Sequence, residues 1–300
     1  MKQGVAFSVG ASVLFGVIYY YSTLLVPLTG FEVFAWRILA GLPVLAIFIH
    51  KIKQWPKILF VAKRLVTDFR FLLWSLLSAV LFGIQTWLFV WAPIHNRALD
   101  VSLGYFLLPL VMVLVGRIFY KERLSWIQTL AVAFAAIGVL HELWRVNAFS
   151  WATMLVAFGY PPYFMVRRYL KIGALPSLWF DFSFLLIPVL YVLFTQEVSL
   201  FTRFMEAPRF FWQVPLFGLL SSIALLGYLG ASRLLPLGLF GLLGYVEPIL
   251  LFWVAFLLLG EPIAAAQWWS YIPIWIAVGL MAAEGGWKLY REGTASATTV

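Results

Sequence analysis

From Phe71 to Ala92 the chain runs for 22 residues without a charged side chain, and from Gly4 to Val26 for 23. As helices these stretches reach about 33 Å or more, against a bilayer hydrocarbon core of about 30 Å. Further apolar stretches follow at Val33–Ile49, Val101–Phe119, Leu124–Leu140, Phe149–Val166, Leu175–Phe194, Phe210–Ala231, Leu234–Leu259 and Ala264–Ala283. The expected fold class is therefore all-α and polytopic, with ten transmembrane helices joined by short connections. Composition closes off the soluble alternative. Hydrophobic residues make up 64% of the 300 and charged residues 11%, whereas a water-facing domain carries about 25% charge. The first stretch is longer than the apolar core of a signal peptide and no small-x-small cleavage site follows it, so it reads as the first span.

The formal net charge is +9. The basic residues lie dispersed between apolar spans, which points to cationic loops and not to a nucleic-acid partner. If the connections alternate between two sides, 16 of the 21 Lys and Arg fall on one side. That segregation places both termini in the cytoplasm, and an odd number of spans would destroy it. The basic loop 51–70 has its own periodicity: Trp55, Ile58, Leu59, Ala62, Leu65, Val66 and Phe69 recur at steps of three and four among Lys57, Lys63, Arg64 and Arg70. This pattern suits an amphipathic helix lying among lipid headgroups.

An internal repeat is visible. Gly104-Tyr-Phe-Leu-Leu-Pro109 is answered by Gly244-Tyr-Val-Glu-Pro248; Pro109 to Pro248 and Glu122 to Glu261 are both 139 residues apart. Phe15-Gly16 returns as Phe158-Gly159, and Pro43-Val-Leu45 as Pro188-Val-Leu190. The unit holds five helices, so two copies, over 1–145 and 146–292, would be inverted in the membrane, with 293–300 a disordered tail. Inverted repeats are the architecture of alternating access around a midplane site.

These residues resemble the drug/metabolite transporter superfamily, specifically its EamA-type permeases of the RarD (chloramphenicol-sensitivity) group. The resemblance is carried by Ser102-Leu-Gly-Tyr-Phe-Leu-Leu-Pro-Leu110, Lys121-Glu-Arg-Leu124, Arg233-Leu-Leu-Pro-Leu237, Gly244-Tyr-Val-Glu-Pro248, Gly260-Glu-Pro262, and Glu32 with Arg37. It spans nearly the whole chain and implies ten helices, two EamA repeats and an inner-membrane permease. Glu247 departs from the uncharged residue the resemblance leads one to expect.

Ionisable groups inside apolar spans are costly, so they normally face a cavity or a partner. Glu247, with Pro248 beside it and glycines 238, 241 and 244 before it, reads as a cavity carboxylate that binds a proton or a substrate amine, or as a neutral structural acid. Arg37 reads as a substrate-carboxylate partner or as a side chain snorkelling to the interface beside Glu32. Asp181 carries the same ambiguity, and Gln85 the default of a helix–helix hydrogen bond. Trp87, Trp91, Tyr105 and Tyr245 are candidates for an aromatic cavity wall, and Pro109 and Pro248 for paired hinges. Glu122 and Glu261 precede helices whose N-termini a carboxylate would suit.

Without cysteine there is no disulfide, thiol chemistry or cysteine-bound metal. His50, His95 and His141 lie near span ends, so neither metal nor cofactor is expected. No soluble-enzyme motif is present. The expected function is an inner-membrane secondary permease, an exporter of small organic metabolites or drugs, with protons as a possible second partner, working as a monomer or homodimer. The alternatives are a membrane-embedded enzyme, a lipid-handling protein and a channel. The charge segregation predicts that alkaline phosphatase fused to the C-terminus is inactive in intact cells; an active fusion would refute the topology.

Overall fold

The computed structural model describes residues 2–121, 123–146, 150–195, 204–235, 240 and 243–297. Among them there is no strand. In chain order the helices are α1 (Lys2–Leu24), α2 (Gly30–Lys51), α3 (Trp55–Thr67), α4 (Phe69–Ile94), α5 (Ala98–Phe119), α6 (Trp126–Val146), α7 (Trp151–Leu170), α8 (Ala174–Phe194), α9 (Phe210–Leu234), α10 (Val246–Trp253) and α11 (Trp268–Ala297). A π-helical turn, Val254–Leu258, extends α10. The backbone of α11 remains helical through Ala297, past Glu292.

Among the described residues five helices are long and apolar enough to cross a membrane: α1, α2, α4, α8 and the Phe210–Ala231 part of α9. A sixth is reached if α5 counts as one span, because it bends by 41° between Ala98–Leu108 and Leu110–Phe119. The bend falls between Leu108 and Leu110, at the one proline of α5, a residue type that removes an N–H from the helical ladder. The chain is thus a multi-pass helical membrane protein.

Local sequence explains the helix ends. Thr29 opens α2 with a capping box: its hydroxyl accepts the Glu32 N–H at 3.2 Å, and the Glu32 carboxylate accepts the Thr29 N–H at 2.7 Å. Ser125 and Gln128 repeat the device at α6, both at 3.0 Å, and the Asp68 carboxylate accepts the Phe71 N–H at α4. Such caps serve donors with no partner inside the helix. Lys53, Lys121 and Lys171 follow the ends of α2, α5 and α7 with φ of 55°, 55° and 54°. A left-handed residue closes a helix there, and each brings a cation to the negative end of the helix dipole.

Two compact units emerge. The first takes Met1–Gly16, Asn96–Pro161 and Gly227–Val300, the second Val17–His95 and Pro162–Leu226. Each draws on both halves of the proposed repeat. Three helices pass from one unit to the other, and they do so at Gly16, at Pro161-Pro162 and at Gly227.

In the second unit α2, α4 and α8 pack on one another. Small residues permit it: a Cβ on Gly41 would fall 2.6 Å from Phe182, and one on Gly83 would fall 2.6 Å from Leu185. Amphipathic α3 buries Ile58, Val61 and Leu65. Val61 and Leu65 meet Phe71, Val166 and Leu170, while Leu59, Phe60 and Val66 stay exposed. In the first unit α6 and α11 form the most extensive pair. A Cβ on Gly138 would fall 2.5 Å from the Ser270 carbonyl oxygen, a backbone atom that cannot step aside. Gly138→Val is therefore expected to destabilise the protein by about 1–3 kcal/mol, read as a lower thermal aggregation midpoint in detergent.

Candidate functional site

The second unit carries a polar chain inside apolar helices. Asp181 lies two turns into α8 and is 2% exposed. Its Oδ1 accepts the Ser78 hydroxyl of α4 at 2.9 Å, and its Oδ2 accepts the Tyr163 hydroxyl of α7 at 3.2 Å. One turn further along α7, Arg167 Nη1 donates to the Tyr163 oxygen at 2.7 Å and Nη2 donates to the Ala174 carbonyl at 3.3 Å. Position 167 is one turn from position 163, so the guanidinium and the phenol share a face. The Asp181 carboxyl thus accepts from two hydroxyls, and Arg167 is linked to it through Tyr163.

Arg37, on α2, is also in this unit. It does not snorkel: the residue is 3% exposed and its guanidinium lies over the Phe89 ring, 5.3 Å from the centroid. Tyr19 of α1 meets the same ring at 5.0 Å. Glu32, the partner proposed for Arg37 from sequence, has one carboxylate oxygen committed to the α2 cap. Gln85 is buried on α4. Trp87 and Trp91 are half-buried, with ring centroids 5.5 Å apart, and Trp91 stacks on His95 at 4.1 Å. A Cβ on Gly30 would meet the Trp91 backbone, so this ladder lies hard against the start of α2.

The remaining candidates belong to the first unit, so Arg37 and Glu247 lie in different units. Glu247 is half-buried in the first turn of α10. Glycines 238 and 241 lie outside the described residues, but the helix starts just beyond them, at Val246. Two consequences follow. The carboxylate sits at the positive end of α10, and Pro248 falls in a first turn, where its missing N–H removes no hydrogen bond. Tyr245 precedes α10 and is buried, and its hydroxyl has no hydrogen-bond partner among the described residues. Tyr105 and Tyr160 pair through their hydroxyls at 3.0 Å. Phe106, Phe252, Tyr271 and Trp275 form a separate aromatic cluster in the same unit, with Phe252 and Trp275 centroids 5.0 Å apart.

Glu261 caps a helix, but not the one it precedes. Its Oε1 accepts the Ala98 N–H at 2.7 Å and its Oε2 the Leu99 N–H at 2.8 Å, so it closes the N-terminus of α5. Asp100 continues that corner, accepting from Arg97 at 3.0 Å and from Ser150 at 2.7 Å. Glu122, the repeat counterpart of Glu261, lies outside the described residues. Sequence reasoning did not reach Ser78, Tyr163, Arg167 or Tyr160. A serine or tyrosine in an apolar span is too common to stand out, and only the fold brings these residues together.

No protein-family model matches the chain. The chloramphenicol-sensitive protein RarD of Pseudomonas aeruginosa is 45% identical over 292 residues, which are 96% of this chain and 95% of the relative. The chain belongs to the RarD family. An uncharacterized transporter of Pasteurella multocida is 42% identical over 97% of this chain and 99% of its own length. The RarD protein of Salmonella typhi is 29% identical over 93% of this chain. A chain of known crystal structure, described only as a protein, superposes with a TM-score of 0.51 over 94% of this chain at 15% identity, a likeness of fold alone.

Within this RarD-family chain Glu261 gives the most direct stability test. Glu261→Ala leaves two N–H groups of α5 without their acceptor and is expected to cost about 0.5–2 kcal/mol. Burial pushes the Glu261 carboxyl above the usual glutamate value of 4.5, against its two backbone donors. Its protonated form is therefore favoured by folding, and the contribution is fullest below pH 4.5 and declines as pH rises through the raised midpoint. Glu261→Gln is expected to remove that part of the pH dependence of the thermal midpoint.

Proposed function

We propose that this chain is an inner-membrane secondary permease, exporting small organic solutes by alternating access. The observation that carries this reading is relatedness over almost the full length. RarD of Pseudomonas aeruginosa and an uncharacterized transporter of Pasteurella multocida align over 95% and 99% of their own lengths. The proposed transporter has ten spans, two inverted five-helix EamA repeats and both termini in the cytoplasm. The polar side chains carried by its apolar helices support it, because Asp181, Arg37 and Gln85 are all buried and none faces lipid.

The solute proposed is amphipathic and partly aromatic. Trp87, Trp91, Tyr105 and Tyr245 would offer it apolar faces with polar rims, and Glu247, Arg37, Asp181 and Gln85 would offer charge and hydrogen bonds. The relative named for chloramphenicol sensitivity supports a solute of that type. Pro109, at the bend of α5, and Pro248, at the start of α10, are the proposed hinges.

An enzymatic alternative has one cluster to examine. Ser270, His141 and Glu142 approach one another on α11 and α6, with Ser270 Oγ 2.9 Å from His141 Nδ1. The serine hydroxyl, however, donates its single proton to Glu142 Oε2 at 2.6 Å. Glu142 also holds Arg145. A nucleophilic serine needs its proton directed at the base, with the acid behind the base. This geometry instead ties the start of α11 to the end of α6.

Purified full-length protein, screened for thermal stabilisation against amino acids, aromatic drugs and sugars, is expected to respond to one amphipathic aromatic class. Glu247→Gln is expected to stay folded and to lose that response or its pH dependence. Absence of any stabilising solute in the wild type would count against transport, and an unaltered response in Glu247→Gln would make Glu247 a structural acid.

A further inference from the structure

Helix α3 cannot leave the membrane surface. It is joined to α2, a span, by residues 52–54, and to α4, a second span, by Asp68 alone. One of its faces is already covered by protein. Ile58, Val61 and Leu65 are buried, the last two against Phe71 of α4 and Val166 and Leu170 of α7. The remaining faces meet whatever lies at the bilayer boundary.

Those faces are of two kinds. Leu59 and Val66 are seven positions apart and so share one flank of the helix; they are 65% and 88% exposed. Lys57 and Arg64, also seven apart, share the other flank, and Lys63 lies opposite the buried face, all three exposed. A helix with an apolar flank and a basic flank matches the boundary between acyl chains and headgroups.

The charge on this surface is not balanced by the protein. Residues 51–70 hold six Lys or Arg, all exposed, against one carboxylate, Asp68. Asp68 is itself engaged: Oδ1 accepts the Phe71 N–H at 3.0 Å, and Oδ2 faces Arg64 Nε at 3.9 Å. Among the described residues the other five cations form no ion pair. Arg64 is fixed at the corner of α3 and α4, its guanidinium 4.0 Å from the centroid of the Phe71 ring. Lys171, next to Leu170 of the same apolar cluster, is exposed and adds a further cation. Ammonium and guanidinium groups bind phosphate oxygens. A zwitterionic headgroup brings its own cation beside each phosphate, which these side chains repel, whereas an anionic headgroup does not.

We propose that α3, with the first turn of α4 and Lys171, is a binding surface for anionic phospholipid of the adjoining leaflet. Phosphates lie along the Lys57–Arg64 flank, and acyl chains lie against Leu59 and Val66. Because α3 ties α2 to α4, and both pack on α8, the bound lipid stabilises the second unit. The proposal needs a bilayer but no transported solute, so it stands apart from the transport reading.

The test titrates full-length protein in neutral detergent with phosphatidylglycerol, with phosphatidylcholine of the same acyl chains, and with inorganic phosphate. Thermal midpoints and the lipid retained in native mass spectra are read. Phosphatidylglycerol is expected to raise the midpoint and to be retained, and the other two to do neither. Lys57→Gln with Lys63→Gln is expected to need about tenfold more phosphatidylglycerol for the same rise. Lys57→Arg with Lys63→Arg is expected to behave as wild type, which separates charge from folding. An equal response to phosphatidylcholine would leave this face to a partner of another kind and overturn the proposal. A response to phosphate alone, or an unmoved phosphatidylglycerol requirement in the Gln pair, would overturn it too. The wild-type comparison of the two lipids decides the matter if the Gln pair does not fold.

Discussion

Hydrocarbon offers a backbone no hydrogen-bond partner, and the rest of this structure follows from that constraint. Every N–H and C=O at membrane depth must be satisfied within the chain, which leaves helices as the building element. Where helices end, polar groups are supplied on purpose. Thr29 and Glu32 cap α2, Ser125 and Gln128 cap α6, and Glu261 reaches the amides of α5 from far along the sequence. The same constraint makes each buried ionisable group conspicuous. Asp181 persists inside α8 because Ser78 and Tyr163 hydrogen-bond it, and Arg37 persists inside α2 against the Phe89 ring.

Much of the fold was legible in the sequence because one-dimensional signals carried it. The charge-free run of α4 and the capping residues before α2 depend on neighbours within a few positions. Buried partners do not. From its place one turn into a span Arg37 reads equally as an interfacial side chain or as a partner for a substrate carboxylate, and nothing local reveals that its guanidinium will lie over Phe89. Asp181 is visible as an ionisable group, but its donors come from 103 residues before it and 18 residues before it. Glu261 reads as a cap for the helix it precedes, yet it serves amides 163 and 162 residues upstream. Pro248 looks like a mid-span break until the start of α10 places it in a first turn, where proline is at ease.

The weak points of three helices coincide with the borders of the compact units. Gly16, Pro161-Pro162 and Gly227 are residues that lower helix stability or remove a backbone donor. A chain that must change conformation without unfolding benefits from bending at a few fixed positions while its packed segments stay intact. The close packing of α2, α4 and α8 around Gly41 and Gly83, and of α6 and α11 around Gly138, leaves little compliance inside either unit.

Alternating access is the central claim, and the absence of cysteine from the chain allows a direct measurement. A single cysteine in place of Trp87 can be labelled with a membrane-impermeant maleimide in right-side-out and in inside-out vesicles without background reaction. The account predicts labelling from both faces, with a stabilising solute raising one rate and lowering the other. Labelling from one face only, unchanged by solute, would contradict it.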